Sequence, residues 1–310
     1  MPLSARRPTP PDVDLTIVIV NWNTKRHLRR CLETIFRPSV ETRFEVIVVD
    51  NASRDGSADM AEVEFPQTNV IRNERNLGFA KAANQAIILG RGNFFLLLNP
   101  DAALQENAID RAVEFAREHP DIGIVGCKIL NEDGTLQHSC RRFPTPAVGL
   151  FRNTVLGRLF PRNRYLRAYL MTDWDHRHLR EVDWVSGACM LIRREALSEV
   201  GILDERYFMY CEDLDLCFRA HNAGWKIFYY PRAAAVHRKG ASSDQAQVRC
   251  VVAFHKSLYK FFNKYFAKAR FLPYRWLVGL LLVIRATAII VKYGIRKSLA
   301  SLRAGRAAPE

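Results

Sequence analysis

The chain has 310 residues, 48% of them hydrophobic and 25% charged, which excludes a disordered chain, a collagen-like repeat and a small disulfide scaffold. Its 46 Lys and Arg outnumber 32 Asp and Glu, for a formal charge of +14. The excess sits in residues 141–180 and 251–310, leaving a slightly acidic remainder, so a uniformly basic nucleic-acid binder is excluded and no nucleic-acid partner is expected.

Residues 1–14 carry Pro2, Pro8, Pro10 and Pro11 and no apolar run, which predicts a flexible leader rather than a signal peptide and a body that stays in the cytoplasm. Leu15–Val20 (LTIVIV) is an unbroken β-branched run, the pattern of a strand buried on both faces. Lys25–Phe36 follows with Leu28, Cys31, Leu32, Ile35 and Phe36 at helical spacing. Phe44–Val49 and Phe94–Leu98 are further buried strands, with a small-residue helix, Gly78–Leu89, between them. A helix through Ile109, Ala112, Val113 and Ala116 leads to a strand at Ile122–Val125. Alternation of this kind predicts an α/β fold with a mostly parallel sheet flanked by helices.

Beyond it the style changes. Asp133-Gly134 reads as a hairpin turn, and the arginine-rich segment 141–180 as an insertion or lip. Ser186–Ile192 resumes a buried strand, followed by a helix at Arg193–Val200. Glu212–Ala223 is a helix closed by Gly224, then come strands at Trp225–Tyr230 and Ala233–Val236, the last running into His237. The expected organisation is a leader (1–14), one α/β domain (15–245) and a basic, apolar helical extension (246–310). In that extension Trp276–Val291 is apolar apart from Arg285 and is flanked by basic residues on both sides. Such a segment suits an anionic membrane surface, either lying in it or crossing it, while a core helix with solvated charges is the alternative. Seven cysteines without paired spacing read as core thiols.

One regularity carries chemistry. Three strong strands end in short polar residues: Asn21-Trp22-Asn23, Asp50-Asn51-Ala52-Ser53 and Asn99-Pro100-Asp101. Ligands of parallel sheets bind outside the carboxyl ends of strands, although any one of these tripeptides alone reads as a turn or cap. No glycine-rich phosphate loop is present, so a bound nucleotide needs a divalent metal, Mg²⁺ or Mn²⁺, to neutralise its phosphates. Asp101 is placed to hold one, and His237 could complete the site. Glu212-Asp213 opens a helix after the aromatic run Tyr207–Tyr210. These acids either serve the helix dipole or supply a general base whose pKa is raised by desolvation.

The ordered set TIVIVNWN, VIVVDNASRDGS, RNERNLGFAKAANQAI, FFLLLNPDA, DWVSGACMLIRREAL, GILDERYFMYCEDLDLCFRAHNAGW and AAAVHRKGASS resembles glycosyltransferase family 2, and within it the bacterial rhamnosyltransferase branch. The match runs from Leu15 to Ser243. The resemblance implies the GT-A fold, a nucleotide-diphosphate-sugar donor, a divalent metal and inversion at the anomeric carbon. It implies that Asn21, Asn23, Asp50, Asn51, Asn76, Gly78 and Lys81 serve the nucleotide. Asn99 takes the place of the first acid of the family's metal motif and contacts ribose, while Asp101 and His237 hold the metal. Asp213 becomes the catalytic base, with Glu212 positioning the acceptor or exchanging roles with it, and Trp184 an acceptor contact. The donor suggested by the branch is dTDP-L-rhamnose and the acceptor a lipid-linked glycan at the inner face of the cell membrane. The competing readings are a nucleotidyltransferase and a non-catalytic membrane-associated binding protein on the same fold.

Overall fold

A run of β-branched and aliphatic residues cannot leave either face in water, and Leu15–Asn21 (β1) is accordingly buried on both sides of a sheet. In a computed structural model of the chain, the residues described are 13–145, 148–149, 152, 155–160, 163–238, 240, 246–267 and 272–306. Most of the expected leader lies outside them.

The described residues form two compact units, one drawn from Met1–Glu205 with Glu212–Ser242, the other from Arg206–Cys211 with Ser243–Glu310. In the first unit the order is β1, α1 (Lys25–Ile35), β2 (Phe44–Asp50), α2 (Ser57–Glu64), β3 (Thr68–Arg72), α3 (Phe79–Leu89), β4 (Phe94–Leu98), β5 (Ala102–Leu104), α4 (Ala108–Glu118) and β6 (Ile122–Leu130). It continues with β7 (Leu136–Gln137), β8 (Cys140–Arg141), α5 (Val155–Leu159), α6 (Arg164–Leu170), β9 (Arg180–Glu181), β10 (Trp184–Val185), β11 (Cys189–Arg193), α7 (Arg194–Val200), α8 (Glu212–Asn222) and β12 (Lys226–His237). The main sheet runs β3-β2-β1-β4-β11-β6-β12-β5. Strands β3, β2, β1 and β4 are parallel, β11 is antiparallel to both β4 and β6, and β12 returns parallel to β6.

This is the mostly parallel sheet the alternation predicted, with particular differences. The predicted face of α1 is the buried one: Leu28, Cys31, Leu32 and Ile35. Helix α2 and strand β3 had gone unread, because one is polar beyond Met60 and Ala61 and the other is a half-exposed edge. The two strands expected around Pro231 are one, β12, whose register with β6 shifts between Tyr230 and Ala234. Proline lacks the N–H of a regular ladder, and a bulge is where a strand tolerates it. The segment 141–180 holds only short elements among its described residues. The hairpin expected at Asp133-Gly134 is there, joining β6 to β7 with Ile129 opposite Gln137. Gly126 of β6 packs so tightly that an added Cβ would stand 2.4 Å from Val185 Cγ1.

In the second unit, α9 (Gln247–Tyr265) and α10 (Leu272–Arg306) pack beside the segment Arg206–Cys211. Ser257 Oγ donates to Met209 O at 2.9 Å, and the Tyr210 ring meets Phe254 edge-on with centroids 5.7 Å apart. Arg275 Nε donates to Asn263 Oδ1 at 3.0 Å. The aromatic run before Glu212 therefore serves this unit's packing. Within α10, Arg275–Ile295 is long and apolar enough to cross a membrane, and none of its most apolar window is buried.

Candidate active site

Parallel pairing sets the carboxyl ends of β2, β1 and β4 side by side, with Asn21 directly opposite Asp50. Asn21 is wholly buried and its amide is fully engaged. Its Nδ2 donates to Asp50 Oδ1 (2.9 Å) and Ser53 Oγ (3.1 Å), and its Oδ1 accepts from Thr24 Oγ1 at 2.6 Å. Ser53 N donates to Asp50 Oδ2 at 2.9 Å, so both carboxylate oxygens of Asp50 have a donor. Asn23, with a left-handed φ of 51°, accepts from Arg54 N at 2.7 Å. Asn51 clamps the next loop: its Oδ1 accepts from Asn73 Nδ2 (3.0 Å) and Leu77 N (3.3 Å), and its Nδ2 donates to Gly78 O at 3.2 Å. Gly78 has a φ of +86°, which its lack of Cβ allows. Asn76 Oδ1 caps the same turn on Gly78 N at 2.9 Å, while Lys81 stands exposed in the first turn of α3.

At the end of β4, Asp101 and His237 meet because β5 and β12 pair with His237 opposite Ala102. His237 Nε2 lies 3.1 Å from Asp101 Oδ1 and 3.2 Å from Asn99 Nδ2. A chain of donors fixes which ring nitrogen carries the proton. Thr135 Oγ1 donates to the Asp133 carboxylate at 2.6 Å, so it accepts from Asn131 Nδ2 at 2.9 Å. Asn131 Oδ1 then accepts from Gln137 Nε2 at 2.9 Å, and that same nitrogen donates to His237 O at 3.3 Å. This leaves Gln137 Oε1 as the acceptor, at 2.8 Å, of the proton on His237 Nδ1. With Nδ1 so engaged, Nε2 faces Asp101 Oδ1 and Asn99 Nδ2. An imidazole nitrogen and a carboxylate oxygen 3.1 Å apart are joined either by a proton on the ring or by a shared cation. A divalent metal fits this donor set. Among the described residues no three His, Cys, Asp or Glu side chains gather into a metal cluster, so the protein offers a pair. Mg²⁺ and Mn²⁺ accept such a pair because phosphate oxygens and water fill the rest of their shell.

Asp213 opens α8, and its two oxygens accept from Gly187 N (3.1 Å) and Leu214 N (2.8 Å). The next peptide after Gly187 reaches the other way: Ala188 O accepts from Asn99 N at 3.0 Å. Two consecutive residues entering β11 thus hold Asp213 on one side and the Asn99–Asp101 segment on the other. Burial pushes the Asp213 carboxyl above the ordinary range, although these N–H donors and the nearby Arg141 oppose the shift. Glu212 is pushed well up by burial and by the adjoining Asp213 charge, and its Oε2 is enclosed without a hydrogen-bond partner. The predicted acceptor contact, Trp184, is 7% exposed; its Nε1 donates to Arg142 O at 2.9 Å and the Arg141 guanidinium sits over its ring at 5.0 Å.

This arrangement has relatives. A family profile described as "Glycosyltransferase like family 2" matches residues 10–277. The chain belongs to glycosyltransferase family 2. It is 32% identical over 295 residues to an N-acetylglucosaminyl-diphospho-decaprenol L-rhamnosyltransferase of Mycobacterium tuberculosis, covering 92% of this chain and 95% of the relative. A rhamnosyltransferase of Escherichia coli is 24% identical over 227 residues, covering 71% of this chain and 82% of that one. Among solved structures, a mannosyltransferase from Pyrobaculum calidifontis in complex with GDP-Man and Mn²⁺ superposes with a TM-score of 0.55 at 17% identity, over 97% of this chain and 84% of that one. The chain is a glycosyltransferase with the GT-A fold. A nucleotidyltransferase and a non-catalytic binding protein are set aside by that membership.

For this glycosyltransferase the sequence reading had named the strand-end residues, both carboxylates of α8 and the Asp101–His237 pair. It had not named Ser53 as the brace of Asp50, Gln137 as the partner of His237, Gly187 as the donor to Asp213, or Arg141. Ser53 was visible as the last of a polar strand end; the others carry no local signal, since each acts across the fold.

Proposed function

We propose that this glycosyltransferase moves L-rhamnose from dTDP-L-rhamnose to a hydroxyl of a sugar carried on a polyprenyl diphosphate, with inversion. The observation that carries the reading is the Gly187-Ala188 pair, whose hydrogen bonds tie Asp213 and the Asn99–Asp101 segment to one short stretch of chain. The names of the relatives supply the sugar and the carrier.

Asp50, braced by Asn21 and Ser53, receives the base, and the Asn51-clamped loop through Asn76 and Gly78, with Lys81, borders the nucleotide. Asn99 meets the ribose. Asp101 and His237 would hold the divalent cation, which when bound supplies positive charge against the departing diphosphate. Asp213 takes the proton of the acceptor hydroxyl as its oxygen attacks the anomeric carbon. The bond to the diphosphate breaks on the far side, and with no second carboxylate acting as nucleophile the displacement is single. General-base help of this kind is worth roughly 10²–10⁴-fold. Glu212, enclosed beside Asp213, stays neutral and lends the acceptor a hydrogen bond. Trp184 supports the acceptor side. The exposed apolar face of α10, with basic residues before and after it, attaches the enzyme to the anionic inner face of the cell membrane, where a lipid-linked acceptor resides.

Asp213→Asn tests the reading. Purified variant is expected to lose transfer by at least about 10²-fold while titrating the nucleotide sugar with unchanged affinity. Near-normal turnover in that variant would remove Asp213 from the role.

A further inference from the structure

Arg141 lies in β8 opposite Trp184 of β10, and its guanidinium is held over the indole at 5.0 Å. Its Nη2 reaches only a backbone carbonyl, His138 O, at 3.4 Å, and its Nε is enclosed with no hydrogen-bond partner. A second guanidinium reaches the same strand end through Tyr169, whose O accepts from Arg142 N at 3.1 Å. This is Arg152, which donates from Nη1 to Tyr169 OH at 2.6 Å and covers the Tyr169 ring at 5.1 Å. Among the described residues, no carboxylate lies within ion-pair distance of either. The neighbouring arginine shows the contrast: Arg142 Nη1 is 2.7 Å from Asp183 Oδ1. Burial draws the Arg141 guanidinium below its usual range, yet arginine stays charged in proteins. A charged side chain with an enclosed and unused donor, beside a second guanidinium, is fitted to receive an anion.

The position of the pair says which anion. Arg141 pairs with Trp184, three residues before the Gly187 that donates to Asp213, and its charge attracts that carboxylate, so the cluster borders the acceptor side of the site. The donor diphosphate belongs with Asp101 and His237, at the end of β4. We propose that Arg141 and Arg152 form an anion subsite for the diphosphate of the acceptor, beside the hydroxyl that Asp213 deprotonates. Trp184 and Tyr169 act as platforms that keep the two guanidinium planes in place. The assignment rests on the proposed acceptor class and gives it residues.

The test uses the full-length enzyme in uncharged detergent, with saturating nucleotide sugar. Two acceptors are compared: N-acetylglucosaminyl diphosphate on a short alkyl alcohol, and the neutral alkyl glycoside of the same sugar. In wild type the diphosphate acceptor has the lower KM. In Arg141→Gln and Arg152→Gln its KM rises roughly tenfold or more while kcat stays within about twofold, and the nucleotide-sugar titration is unchanged. Should Arg141→Gln fail to fold, the half-buried Arg152 carries the same measurement. Unchanged KM for the diphosphate acceptor in Arg152→Gln, or in both variants where both fold, overturns the subsite and leaves the proposed activity standing. A loss that appears only with phosphatidylglycerol vesicles assigns the cluster to lipid headgroups and likewise overturns it. Wild type that glycosylates neither acceptor counts instead against the acceptor class proposed above.

Discussion

At the level of single side chains, the site is governed by which atoms have been given donors and which have not. Asp213 has two N–H donors and Glu212 has an oxygen with none, so the two carboxyls share an environment but not a role. Burial raises the Asp213 pKa, and the base must be ionised to act. Transfer is therefore expected to fall on acidification through a pKa above the aspartate reference of about 3.9, and a kcat profile against pH checks it. Glu212 makes a stability prediction. Its folded pKa lies well above the unfolded value of about 4.3, so between the two the folded chain binds the extra proton. Stability from this group is full below the unfolded pKa and is lost as pH rises toward the folded one. Glu212→Gln removes that slope, and denaturant titrations across pH should show wild type losing ground to the variant as pH rises. Gln137 is the third case. Gln137→Leu releases the His237 ring, and Mn²⁺ affinity read by electron paramagnetic resonance should fall about 10–100-fold, while Gln137→Glu, which keeps the acceptor, retains most of it.

At the level of elements, pairing rather than propensity brings the chemistry together. Strands β1, β2 and β4 were legible from their apolar runs, and their polar ends announced a site. The partner of Asp101 was not legible in the same way. His237 reaches it only because β12 bends through a register shift near Pro231 and then pairs with the three-residue β5. The start of β11 is equally decisive, since Gly187 and Ala188 face opposite ways and hold the two halves of the site. Gly126 of β6 protects that geometry. Gly126→Ala places a methyl against Val185, beside the β8–β10 pair, and is expected to destabilise the fold by about 1–3 kcal/mol in thermal or urea unfolding.

Across the whole molecule, charge and hydrophobicity are divided between two units. The first holds the sheet and the candidate carboxylates Asp101, Glu212 and Asp213; the second carries a helix of 35 residues in which none of the most apolar window within Arg275–Ile295 is buried. The proposed anionic membrane surface is the partner that such a segment, flanked by basic residues, suits. Deleting residues 271–310 is expected to move the enzyme from the membrane fraction to the soluble fraction on cell fractionation, with nucleotide-sugar binding retained.

By itself the sequence determined the α/β class, the buried strands and the polar residues at their carboxyl ends, because burial on both faces and polar strand ends are written in consecutive residues. The tertiary structure alone decided the partners of His237, the donors on Asp213 and the guanidinium of Arg141 that lacks an ion pair among the described residues. Each depends on a hydrogen bond or a charge reaching across tens of residues of chain, and no local pattern encodes the distance between groups that only folding brings together.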